Sequence, residues 1–142
     1  MGSEDWLRQR ARAVHAHAAA EERRVAAEVA QARQLVAGFV AAARERGLRT
    51  TALIARSYTG RGRYRTGLHG WYLRPQGAIA VGTDGDFYVL LVPASPLARL
   101  TGVRLRPEQP RLVVGEGARD GERISLRALL EQRLAAGDRW PP

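Results

Sequence analysis

From Ser3 to Arg46 the chain contains no proline, is dominated by alanine, and has Gly38 as its one internal breaker. Alanine is the best helix former and proline the strongest breaker, so this stretch specifies a helix over residues 4–46. Ser3 stands where an N-cap belongs, and Glu4 and Asp5 fill the first turn, where the helix dipole favours anions. Gly47 follows Arg44 and Arg46 as a C-terminal stop. At 1.5 Å per residue such a helix runs roughly 65 Å, whereas the radius of gyration of a 100-residue globule is only ~13 Å. Either the helix breaks near Gly38 or its first half projects beyond the rest of the fold.

The apolar residues of this stretch repeat. Leu7, Ala18, Val29 and Val40 are spaced by eleven residues, and so are Val14, Val25 and Val36. An eleven-residue period gives about 3.67 residues per turn, a nearly straight packing seam. The seam is thick at Leu35, Val36, Phe39 and Val40, which are expected to pack on the chain's own sheet. It is thin over Leu7, Val14, Ala18, Val25 and Val29, which suit close contact with another helix. Residues 4–30 are therefore expected to meet a protein partner, most simply a second copy of the chain.

Beyond Gly47 the period changes. Residues 51–58, 68–74, 78–83 and 86–92 read as strands, with a Gly/Arg loop over 59–67 and a hairpin turn at Asp84-Gly85. Leu97–Leu100 suggests a helical turn, residues 112–114 a short strand, and Ser125 the cap of a helix over Leu126–Ala136, with Ile124 and Leu129 as a hydrophobic staple. The expected fold class is α+β: a long N-terminal α-helix, a small antiparallel sheet of four to five strands, and a C-terminal helix. The expected organisation is a helix over 1–47, a sheet domain over 48–137 and a tail over 138–142.

Among 142 residues there is no cysteine, which excludes disulfides, thiolate metal sites and a thiol nucleophile. No run of about 18 apolar residues occurs, so no membrane span is expected. Residues 1–6 are acidic and lack an apolar core, so no signal peptide is expected and the cytoplasm is the expected compartment. The glycine cluster at 115–121 fits neither a dinucleotide nor a P-loop pattern, and its carboxylates Glu116, Asp120 and Glu122 repel phosphate. His17 and Glu21 share a helix face without a third ligand, and no serine sits in a nucleophile elbow. No cofactor, metal or catalytic constellation is expected; His69 beside Asp84 or Asp86 is the one arrangement that would argue otherwise.

The net charge is +9, and every one of the 23 basic residues is arginine. Lysine and asparagine are both absent, which points to GC-rich coding and lowers the weight of the total. The distribution says more. No acid lies between Glu45 and Asp84, while Arg46, Arg49, Arg56, Arg61, Arg63, Arg65 and Arg74 do. Within that run the segment Gly60–Gly67 carries Arg61, Arg63, Tyr64 and Arg65, followed by His69, Trp71 and Tyr72. Guanidinium groups pair with phosphates and aromatic rings stack on unpaired bases, so Arg61, Arg63, Tyr64, Arg65, His69 and Trp71 are the candidate nucleic-acid contacts. The expected function is a non-catalytic binding or accessory protein that self-associates through its first helix and contacts DNA or RNA through this loop. The alternative is a protein-interaction adaptor, chaperone-like or scaffold subunit with no nucleic-acid role.

Overall fold

The computed structural model describes residues 2–115 and 123–141. It is an α+β fold. Helix α1, Ser3–Glu45, is unbroken, and Gly38 lies inside it. The cap differs from expectation: Ser3 is already helical, Gly2 takes the N-cap position, and no side chain caps the first turn. The C-terminus closes as a Schellman motif. Gly47, at φ 66°, donates its N–H to Arg44 O, and Leu48 donates to Ala43 O at 2.8 Å. The glycine supplies the left-handed residue that this motif needs.

Five strands follow: β1 Thr51–Ser57, β2 Arg63–Tyr72, β3 Ile79–Gly82, β4 Phe87–Val89 and β5 Leu91–Val92. Their order in the sheet is β4-β3-β2-β1-β5. Neighbours are antiparallel except β1 and β5, which run parallel. The β3–β4 hairpin turns where Asp84-Gly85 predicts it. Gly85 sits at φ 88°, and Asp84 Oδ1 accepts the N–H of Asp86. The short helix α2, Ala98–Thr101, precedes a two-stranded ribbon of β6, Val113–Val114, and β7, Ile124–Ser125. Helix α3, Leu126–Ala136, starts as expected, with Ser125 Oγ accepting from Ala128 N–H at 3.1 Å.

Both faces of the sheet are covered. On one face α1 and α3 pack over Trp71, Leu73, Val81 and Phe87, with Val36 and Leu126 among the most deeply buried helix residues. On the other, the chain from Pro93 to Leu105 covers Leu53, Tyr88, Leu90 and Tyr64. Two expected boundaries therefore dissolve. From Ala32 onward α1 belongs to the same core as the sheet, so the helix does not stand apart from the sheet at position 47. Residues 138–141 are not a free tail, because Asp138 and Trp140 are bound to the body of the fold. Among the described residues, no helix is long and apolar enough to cross a membrane. The acidic turn expected over 116–122 lies outside the described residues.

Trp71 is 2% exposed, meets Phe39 edge-on at 5.8 Å, and donates its indole N–H to Leu48 O at 3.2 Å. Trp71→Ala is expected to cost about 3–5 kcal/mol in urea unfolding, against less than about 0.5 for Leu100→Ala on the surface. A second test uses pH. Burial, and then the hydrogen bond to Asp84, push the Tyr88 hydroxyl far above its ordinary value. Below the unfolded-state value of about 10 the two states bind this proton equally, and the stabilisation is complete. Above it the unfolded chain ionises first, so stability falls with rising pH by up to about 1.4 kcal/mol per unit from this group. Tyr88→Phe is expected to flatten that alkaline decline in denaturation curves measured across pH 9–12 (about the range set by the unfolded value).

Candidate anion-binding cleft

Strand alternation decides which of the Gly60–Gly67 side chains face solvent. The segment is not a loop beyond Gly62: β2 begins at Arg63, and Arg-Tyr-Arg is its period-two pattern. Arg63 points to the helix-bearing face, and both Arg63 and Arg65 are exposed. Tyr64 points to the opposite face and is 2% exposed, with its hydroxyl accepting the N–H of Ser95 at 3.0 Å. Trp71 is equally buried. Neither ring presents a face to a base, so both are removed from the candidate contacts. A sheet covered on both sides draws its aromatics inward.

The remaining candidates diverge. Arg61 lies exposed in the turn before β2. Arg65 Nη2 donates to Leu100 O at 3.0 Å. His69 is exposed, and its main-chain carbonyl accepts from Thr83 N–H at 2.8 Å. Asp84, the carboxylate considered for His69, is engaged by Asp86 N–H and the Tyr88 hydroxyl. Of the six, Arg63 and the buried Trp71 reach the feature that concentrates the arginines.

That feature is a cleft of about 460 Å³ between the open end of the β1–β2 face and the segment after α3. Arg49, Arg56, Arg63, Arg74 and Arg133 line it, with Asp138 as its one carboxylate among the described residues. Arg49 already uses that carboxylate. Its main-chain N–H donates to Asp138 Oδ1 at 2.8 Å, and its Nε lies 3.7 Å from Oδ2. Arg133 forms one wall and is 5% exposed. Its Nε donates to Tyr72 O and its Nη1 to Gly137 O, each at 2.8 Å, and its guanidinium stacks 4.6 Å from the Trp140 ring centroid. Burial pushes Arg133 below its ordinary arginine value, and nearby Asp138 partly opposes the shift. Arginine's basicity is high enough to keep the charge.

Arg56 and Arg63 are register partners on adjacent strands. Directly opposed antiparallel residues hold their Cβ atoms about 5 Å apart, and like charges there destabilise the pair. Among the described residues no carboxylate lies within ion-pair distance of either. The sheet thus carries an electrostatic cost at the floor of a concave, cationic site, and an anion entering the cleft would relieve it.

Most of this site escapes the motif reading. Arg49, Arg56 and Arg74 belong to the acid-free run but stand outside the Gly/Arg segment. Arg133 occupies a position of the buried stripe Leu126, Leu129, Leu130, Arg133 on α3. An arginine in an apolar stripe is the signal that could have found it. Trp140, between Arg139 and two prolines, gives none.

Compared with protein-family models, with curated proteins and with solved structures, the chain has no match to any.

If the Arg56–Arg63 opposition is a cost kept for a ligand, removing it strengthens the fold. Arg56→Thr is expected to raise the unfolding free energy by about 0.2–1 kcal/mol at low salt, and the gain is expected to shrink as salt screens the pair. Paired chemical-denaturation curves at two salt concentrations read both effects; a less stable variant would show that the arginine supports the sheet.

Proposed function

We propose that this chain is a non-catalytic binding protein that grips the phosphate backbone of a single-stranded nucleic acid in the arginine cleft. The observation that supports the reading is the opposition of Arg56 and Arg63 on the floor of a site walled by Arg49, Arg74 and Arg133. Guanidinium groups bind phosphate oxygens in pairs and release condensed counterions, so the opposed Arg56 and Arg63, with no carboxylate of the described residues in ion-pair distance of either, favour a polyanion. Trp140 contributes an aromatic ring to the lining, and unpaired bases stack on such rings. The cytoplasm, the compartment expected from the sequence, holds such a ligand. This reading keeps the expected ligand class and, apart from Arg63, moves its contacts from the Gly60–Gly67 segment to the cleft.

Fluorescence anisotropy with single-stranded DNA and RNA oligonucleotides across a salt series tests the proposal. Each phosphate contact contributes about 0.7 to the slope of log affinity against log salt for a single strand. The double variant Arg56→Gln/Arg63→Gln is therefore expected to bind more weakly and to flatten the slope by about 1.4. Arg61→Gln, outside the cleft, is expected to change both much less. Absence of binding at ~50 mM salt, or a double variant with the wild-type slope, refutes the reading.

A further inference from the structure

The first half of α1 leaves an apolar stripe open to water. Leu7 and Val14 are 55% and 63% exposed. At 3.6 residues per turn, Leu7, Val14, Ala18 and Val25 fall within an arc of about 40° on the helix surface. Widened to about 60°, the arc continues into Val29, Ala32 and Val36, which are buried. One face of one helix is thus covered by its own fold in the second half and bare over Leu7, Val14 and Ala18, with Val25 half-buried at the junction. Val29, expected from the sequence to join an interface with another chain, is instead covered by its own chain at 7% exposure. The bare half has little to hold it, because a helix in water draws most of its stability from packing an amphipathic face.

The spacing of the stripe reads the same in both directions. Leu7, Val14, Ala18 and Val25 are separated by seven, four and seven residues. Reversing the helix about Ala16 therefore sets Leu7 against Val25 and Val14 against Ala18. The charges at the edges fit the same reversal. Arg10 and Glu21 lie along one edge of the stripe, and Arg8 and Glu22 along the other. In an antiparallel pair like edges meet, so Arg10 of one helix comes within a turn of Glu21 of the other, and Arg8 within a turn of Glu22, each twice by symmetry. Glu21 already pairs with Arg24 of its own helix and gains a second cation in this arrangement. A parallel pair instead sets the cationic segment Arg8–Arg12 beside its own copy and brings two chains of net charge +9 side by side.

We propose that residues 7–25 pair antiparallel with the same segment of a second copy, centred on Ala16. The two helices cover each other's bare stripe and form an isologous twofold dimer. Val29, where α1 enters its own fold, then lies 26 residues along the axis from the corresponding point of the second copy. At 1.5 Å per residue that is about 39 Å, so the two folded bodies stand at opposite ends. The pairing does not depend on what the arginine cleft binds.

Light scattering on nuclease-treated protein gives the first readout. The expected mass is twice 15.6 kDa, falling to 15.6 kDa in the Leu7→Glu/Val14→Glu variant. The variant is expected to keep the urea midpoint of the Trp71 core, because neither residue touches that core. The absence of cysteine allows a second readout of direction. An equimolar mixture of Val14→Cys and Ala18→Cys chains is expected to oxidise to the mixed disulfide faster than Val14→Cys alone oxidises to its own. A mass of 15.6 kDa at every soluble concentration, a doubled mass that the glutamates leave intact, or faster self-linking of Val14→Cys each overturns the proposal.

Discussion

The contact between Trp71 and the end of α1 is the constraint from which the rest of the arrangement follows. Trp71 sits in β2, flanked by β1 and β3, and its ring meets Phe39 while its N–H bonds the carbonyl of Leu48. Leu48 is the residue that closes the Schellman motif, so the helix terminus and the sheet are fastened at one point. With its C-terminal turns held there, the direction of a rigid rod is set. An α-helix of 43 residues spans roughly 64 Å, and only its last turns find anything to pack on. The exposed first half is a geometric consequence of that anchorage.

The same anchorage shapes the cleft. Helices α1 and α3 cover the sheet face over Trp71, Val81 and Phe87, but they stop short of the end of β1 and β2 that carries Arg56 and Arg63. The residues after α3 return over that end and bring Asp138 and Trp140 to the rim. Arg133 works as a strut between the two. It bonds main-chain carbonyls of β2 and of the helix terminus and stacks under Trp140. A guanidinium can do this because its donors lie in a fixed plane whose faces are free for stacking. The result is a cationic concavity made from three separate parts of the chain.

Periodicity carried the legible part of the fold. The eleven-residue repeat and the lack of proline mark α1 nearly to the residue, and Ser125 with the staple at Ile124 and Leu129 marks α3. Asp84-Gly85 marks the one hairpin whose turn chemistry is explicit. The arginine cleft was legible in outline but not in detail. Counting acids locates the cationic third of the chain, and that third contains Arg49, Arg56, Arg63 and Arg74. Reading Gly60–Gly67 as a loop, however, treats its side chains as one exposed cluster. Once Arg63 begins a strand, neighbours part to opposite faces, and Tyr64 goes into the core while Arg63 and Arg65 stay out.

What the sequence determined by itself is local: the long helix, its apolar stripe, the stops at Gly47 and Gly137, and the absence of acids through the middle of the chain. Each depends on propensity, periodicity or charge within a few turns of backbone. The tertiary structure alone decided that both sheet faces are covered, that β5 adds in parallel beside β1, and that Arg56 faces Arg63 beneath Arg133 and Trp140. Those facts depend on register between strands and on helices distant in sequence, where a shift of one residue exchanges the two faces of a strand.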